Sequence, residues 1–319
     1  MPSEPDGRSG RGRAWAELLR LPALFSVPGD ALAGTAATGA PPTSRTLLAI
    51  ASSLCLYEAG MALNDWADRD IDAVERPHRP LPSGRIRPAA ALTAAGALTG
   101  AGLALAAGAG RPALAVAAPL AATVWAYDLG LKHTHAGPLA MGTARGLDLL
   151  LGAAATTGRT RQALPHAALL GTHTLVVTTV SRQEAQGGSP LPPLAALATT
   201  ALLTRLVTRR SAASTNSRRQ ATAHARTGPR ARWHPVQAPG ALLTTALGAA
   251  YAATTARPYF HATLNPSPPL TQRAVGAGIR ATIPLQATLT ARSRGTATAL
   301  LIAALAPLGA RFAKKVSVT

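Results

Sequence analysis

The chain has 319 residues, of which 47% are hydrophobic, 14% charged and 3% aromatic. A soluble domain carries about 25% charged residues, so the deficit argues against a fold solvated by water on all sides and for a lipid solvent. The formal net charge of +19 is carried almost wholly by arginines set between apolar runs, without the interleaved aromatics that stack on bases, which argues against a nucleic-acid binder.

In chain order, residues 1–14 read as a disordered polar tail, followed by apolar runs long enough to cross a bilayer at about 17–25 residues each. The expected spans are 18–38, 46–64, 89–108, 111–128, 138–157, 163–181, 191–208, 240–257 and 296–313. A tenth, half-apolar segment, 273–290, carries Arg280 and Gln286 and reads as an interfacial or partly inserted helix. Arg8, Arg11 and Arg13 before the first apolar run would suit a leader peptide, but the many later spans favour an uncleaved first helix. Residues 209–239 show no apolar periodicity and carry seven arginines, the composition of a disordered basic insertion. The resulting fold class is all-α: one integral membrane bundle of about nine transmembrane helices over residues 15–319.

The apolar runs are rich in Ala, Gly and Thr, which allow close helix–helix approach. Cys55 lies within one of them and is the chain's single cysteine, so no internal disulfide is possible. The tail and the 65–88 loop are arginine-rich, while the intervening loops carry little positive charge; this places the N-terminus and the 65–88 loop in the cytoplasm and the chain in the cell membrane. Nine alternating spans put the basic 209–239 segment outside, against the same rule.

The thirteen acidic residues are unevenly spread. Five, Asp65, Asp68, Asp70, Asp72 and Glu75, fall within eleven residues, and none lies beyond Glu184. Such crowding at the end of an apolar helix costs repulsion unless a cation sits there. In the run Asn64-Asp65-x-x-Asp68-x-x-x-Asp72, steps of three and four put the three carboxylates on one helical face. Hard oxygen donors of this kind suit Mg²⁺, which takes one or two carboxylates together with phosphate and water. The segment that follows, Arg76-Pro77-His78-Arg79-Pro80-Leu81-Pro82-Ser83-Gly84, supplies Arg76 and Arg79 for phosphate oxygens on a rigid, non-helical connection.

These residues resemble the first aspartate-rich motif of the UbiA prenyltransferase superfamily, and Tyr127-Asp128-x-x-x-Lys132 resembles the Tyr/Lys element of its next cytoplasmic loop. More narrowly, Pro28-Gly29-Asp30, Ser181-Arg182-x-Glu184 and Ile283-Pro284-Leu285-Gln286-Ala287 resemble an actinobacterial branch similar to EboC proteins. The resemblance implies a Mg²⁺-dependent enzyme that moves a prenyl group from a prenyl diphosphate to an acceptor of unknown identity. It implies Asn64, Asp65, Asp68 and Asp72 at the metal–diphosphate site, with Arg79, Lys132 and Arg182 as phosphate contacts. Tyr127 would orient the diphosphate or stabilise a cation with its ring. Where the family has a second motif, Asp-x-Glu-x-Asp, this chain reads Arg182-Gln183-Glu184-Ala185-Gln186. Arg182 then either substitutes for a second metal or faces Glu184, leaving that half-site lost.

Polar residues inside spans are functional candidates by default. Arg145 and Asp148, at i,i+3, read as an internal ion pair, or Arg145 faces the diphosphate. Glu58, seven residues before Asp65, reads as a structural hydrogen-bonding group or as an acceptor-binding acid. Asp30 reads as a satisfied acid at a helix kink or, alternatively, as a catalytic acid. His166 and His173 read as core histidines. Two rival classes remain: a catalytically impaired family member acting as a membrane binding or transport protein, and a soluble isoprenoid synthase with similar aspartate-rich helices.

Overall fold

The structure is a computed structural model that describes residues 7–185, 187–209, 239–293 and 295–316. All regular structure among these residues is helical. The elements are α1 (Gly7–Leu18), α2 (Pro28–Ala37), α3 (Ser44–Ala67), α4 (Arg69–Glu75), α5 (Pro88–Ala109), α6 (Arg111–Leu129), α7 (Gly137–Thr157), α8 (Leu164–Ser181), α9 (Leu191–Thr208), α10 (Pro239–Leu264), α11 (Pro268–Arg292) and α12 (Thr296–Val316). Five segments are long and apolar enough to cross a membrane: Ser44–Ala67, Pro88–Ala109, Arg111–Leu129, Arg161–Ser181 and Leu191–Thr208. The expected stretches in α7, α10 and α12 are helical as well. Of the expected basic insertion at 209–239, residues 210–238 lie outside the described residues.

Local chemistry explains the boundaries. Thr43 and Thr46 close a capping box on α3, which satisfies otherwise orphaned N–H groups. Pro88 opens α5 in its first turn, where the missing N–H costs nothing. Between helices, small residues bring backbones together. A Cβ on Gly34 of α2 would fall 1.9 Å from the Leu149 carbonyl oxygen of α7, and one on Gly152 would fall 2.1 Å from that of Ala31. The α2–α7 seam therefore exists only as backbone against backbone. Hydroxyls tie the same region: Thr156 on α7 bonds Thr35 at 2.9 Å and Thr46 at 2.8 Å.

Three expectations are corrected. The tail is not disordered from residue 7 on: α1 buries Ala14 and Leu18 against Leu63, Leu81 and Ile86, and Glu17 takes a bidentate hydrogen bond from Arg85 at 2.7 and 3.1 Å. The expected span 18–38 is not one helix. Arg20 turns the chain at φ 50°, a 3₁₀ turn covers Leu21–Ser26, and α2 has ten residues, with Gly29–Ala36 all buried. Pro22 and Pro28, which cannot donate to a preceding turn, fall at its two restarts. Segment 273–290 belongs to the interior: α11 runs 25 residues, buries most of its C-terminal half, and packs on α10, α12, α8 and α2. Its polarity misled because hydropathy scores a helix against lipid, whereas its threonines bond their own backbone (Thr288 to the Pro284 carbonyl, Thr290 to that of Gln286).

Candidate active site

A cavity of about 450 Å³ opens inside the bundle between α3, α6, α7, α8 and α11, within the usual range for a small-molecule site. From α3 it is lined by Ser53, Leu56, Tyr57, Gly60, Met61 and Asn64, the i, i+3, i+4, i+7 pattern of one helical face. Facing them are Tyr127 and Asp128 of α6, Arg145 and Asp148 of α7, His173 of α8, and Glu184 just past α8. The walls between are apolar: Leu120, Val124, Met141, Val177 and Ile279.

The aspartate-rich segment sits at one end and divides into two groups. α3 stops at Ala67, and Asp68 forms the joint to α4. The expected single face for Asp65, Asp68 and Asp72 is therefore not built. Asp65 and Asp72 share Arg79, at 3.6 and 2.6 Å, with Arg20 on Asp65 at 3.0 Å and Arg76 on Asp72 at 3.4 Å. Asp68 instead meets Lys132 at 2.6 Å, on the side where Asn64 donates to Asp128 at 3.0 Å. Both buried carboxylates, Asp65 and Asp72, thus carry arginine partners, as buried charges require.

Among the described residues no three Asp, Glu, His or Cys side chains converge as a preformed metal site. The donor set is nonetheless all hard oxygen: Asn64, Asp128 and Glu184 lie on the same cavity, and Asp68, paired with Lys132, stands beside it. That chemistry fits a Mg²⁺ ion that brings most of its ligands with it as diphosphate and water, and does not fit a closed protein cage.

The other expected residues divide as well. Glu184 lines the cavity; burial raises its carboxyl pKa above the ordinary range, with nearby Arg76 opposing. Arg182 is exposed and donates to the Thr134 carbonyl in the α6–α7 connection, so it does not face Glu184 as its partner. Gln186 lies outside the described residues. Glu58 is buried, both its oxygens are without a hydrogen-bond partner among the described residues, and it is not on the cavity wall. Arg145 pairs with Asp30 of α2 at 3.0 Å and not with Asp148. His173 is a core histidine: its ring nitrogens are taken by the Tyr251 hydroxyl at 3.1 Å and the Gly278 carbonyl at 3.0 Å.

Arg20 and Asp128 are the site residues that the sequence reading passed over. Arg20 falls at the start of the expected span 18–38, where nothing in the motif spacing marks it. Asp128 was quoted within the Tyr127 motif without a role, although an acid at the end of an apolar span is itself a signal.

A helical bundle with apolar helices long enough to cross a membrane, an interior cavity and an aspartate-rich mouth has the architecture of an integral membrane protein with a small-molecule site. The chain belongs to the UbiA prenyltransferase family, a multi-pass membrane family, whose profile matches residues 23–215. Over 149 residues it is 36% identical to the digeranylgeranylglyceryl phosphate synthase of Ignicoccus hospitalis, covering 46% of this chain and 49% of that one. Over 144 residues it is 37% identical to the protoheme IX farnesyltransferase of Symbiobacterium thermophilum, covering 44% and 48%. The chain thus spans about half the length of these relatives. A solved structure of a UbiA homologue from Archaeoglobus fulgidus bound to DMAPP and Mg²⁺ has the same fold, with TM-score 0.56 and 15% identity over 84% of this chain and 98% of the other. A UbiA homologue from Aeropyrum pernix K1 superposes at TM-score 0.59, 19% identical over 83% and 96%. Membership of a multi-pass membrane family removes the soluble synthase as a reading.

Proposed function

We propose that the chain is a membrane prenyltransferase that transfers a prenyl group from a prenyl diphosphate to an acceptor. The observation that carries the reading is the placement of Asn64, Tyr127, Asp128 and Glu184 at one end of a cavity whose middle walls are apolar, with Asp68–Lys132 and Asp65–Arg20–Arg79 beside it. A diphosphate bound there meets three cations, and its apolar tail has a dry channel to enter. The solved structures of the Archaeoglobus homologue bound to DMAPP or GPP with Mg²⁺ support the same pairing of ligands.

Asn64, Asp68 and Asp128 are the residues that would hold Mg²⁺, which when bound supplies positive charge to the departing diphosphate. Arg20, Arg79 and Lys132 are tethered to carboxylates in the free protein and release their N–H groups to phosphate oxygens. Preorganised charge of this kind lowers the barrier to breaking the allylic C–O bond. The Tyr127 ring lies where it can face positive charge developing on the allyl group, and the walls of Leu120, Val124 and Val177 keep water away from it. We further assign the aspartate-rich mouth and the N-terminus to the cytoplasm of a cell-membrane protein, from the arginine balance. The motifs at Pro28–Asp30, Ser181–Glu184 and Ile283–Ala287 support the EboC-like branch as the narrower affiliation.

Membranes holding the protein are expected to convert labelled prenyl diphosphates with Mg²⁺ in the presence of a lipid and small-molecule extract, with products read by mass. Asp68→Asn is expected to lower this turnover by ~10²-fold or more, the scale of one preorganised electrostatic group. Turnover within threefold of wild type in Asp65→Asn, Asp68→Asn and Asp72→Asn alike would refute the site.

A further inference from the structure

The far end of the same cavity is polar too, and nothing in the diphosphate reading uses it. Arg145, Asp148, Ser53 and Ser26 line it. Behind the wall, fully buried Asp30 holds the guanidinium of Arg145 through Nε at 3.0 Å. Gln286 secures this arrangement, donating to Asp30 at 2.6 Å and to the Ser26 carbonyl at 2.8 Å. Ser53 donates to Asp148, whose carboxyl reaches that of Asp30. Arg145 thus pairs directly with Asp30, Asp148 stands beside that pair, and the charge of Arg145 is balanced within the protein.

We infer that this deep station binds the polar head of the acceptor and selects an uncharged hydroxyl-bearing group over a carboxylate. The inference rests on the prenyltransferase reading for the word acceptor. Its chemistry rests on the station alone. A carboxylate entering here would be desolvated beside Asp148 without gaining a free cation, a heavy penalty in a low-dielectric site. A hydroxyl can donate to Asp148 or to the Ser53 oxygen and accept from the outer N–H groups of Arg145, at no charge cost.

The spacing along α3 suits this division. Asn64 lies seven residues above Tyr57 and Ser53 four below it, or about 10 Å and about 6 Å along the helix axis. A diphosphate at Asn64 brings its allylic carbon toward the Tyr57 level. An acceptor about one ring in length, with its head at Ser53 and Asp148, presents its other end to that carbon.

The test uses the full chain in lipid nanodiscs, with neither Mg²⁺ nor prenyl diphosphate, and a matched pair of probes, 3-phenylpropanol and 3-phenylpropionate, with affinities read by calorimetric titration. The wild type is expected to bind the alcohol at least tenfold more tightly. In the double variant Asp30→Asn/Asp148→Asn, which frees the charge of Arg145, the carboxylate is expected to gain at least tenfold and to raise the melting temperature of the variant. Equal or tighter binding of the carboxylate by the wild type, or binding of neither probe at millimolar concentration, overturns the inference without reference to any variant's folding. The prenyltransferase reading fails separately, through the absence of turnover of labelled prenyl diphosphate.

Discussion

The guanidinium of Arg20 donates to the Asp65 carboxylate at 3.0 Å across 45 residues of sequence, from a backbone position with φ 50°. A non-glycine residue in the left-handed region is uncommon and is held there by its surroundings. Here α1 on one side and the 3₁₀ turn on the other fix the kink, and the kink aims Arg20 into the cavity. Arg20→Ala should therefore lower prenyl-transfer turnover by about tenfold or more with only a modest fall in melting temperature, because the buried Asp65 carboxylate keeps Arg79 at 3.6 Å as a second partner. Arg20→Lys should recover part of the loss. Turnover within twofold of wild type in Arg20→Ala would remove Arg20 from the site.

Asp72 calls for the opposite balance of effects. Its side chain is 2% exposed and it anchors both Arg76 and Arg79, so it ties the 76–87 connection to α4. Asp72→Asn leaves two guanidinium groups short of a counter-charge, which should cost about 1–3 kcal/mol, less than the several kcal/mol of a fully buried pair because both arginines keep some water. Limited proteolysis at this connection should speed up in Asp72→Asn and not in Asp68→Asn. Equal protection in both variants would show that Asp72 does not hold the connection.

Much of this was readable in advance, and the failures have physical causes. Long apolar runs such as 89–108 and 191–208 became α5 and α9 because length and apolarity are local properties. The aspartate-rich segment was legible as a cluster, but its division was not: the one-face argument assumes a continuous helix, and α3 ends one residue before Asp68. The partner of Arg145 is Asp30 on a different helix, and spacing along a single helix could only suggest Asp148. The depth of α11 was hidden because its threonines and Gln286 look amphipathic in sequence and are satisfied by backbone and by Asp30 in the fold.

The topology has a direct test. Ser44 and Ser83, both exposed, lie at and beyond opposite ends of α3, whose 24 residues span about 36 Å, enough to cross a bilayer. In a Cys55→Ala background, Ser44→Cys should react with a membrane-impermeant maleimide applied outside intact cells, and Ser83→Cys should react only after the membrane is opened. The reverse pattern would invert the proposed orientation.

The remaining question is what replaces the second acidic motif. Arg182 donates to the Thr134 carbonyl, two residues from Lys132, whose ammonium meets Asp68 at 2.6 Å. In this arrangement Arg182 braces the connection that carries Lys132 and is itself exposed, while Glu184 is the one acid of the lost motif that faces the cavity. Glu184 is a single acid, and the other oxygen donors on the cavity near it, Asn64 and Asp128, are already assigned to the first ion, which leaves a second Mg²⁺ without the pair of protein ligands it commonly takes beside phosphate and water. Turnover should thus rise with Mg²⁺ along a simple hyperbola. Arg182→Ala should loosen the Lys132 connection, raising KM for the prenyl diphosphate several-fold with a smaller change in kcat, since the group positions a phosphate contact and does not touch the reacting atoms. Arg182→Lys should recover part of the KM, because a single ammonium can still reach the carbonyl. Cooperative dependence on Mg²⁺ in the wild type would show a second metal site in spite of the missing acids, and an unchanged KM in Arg182→Ala would show that Lys132 holds its place without the brace.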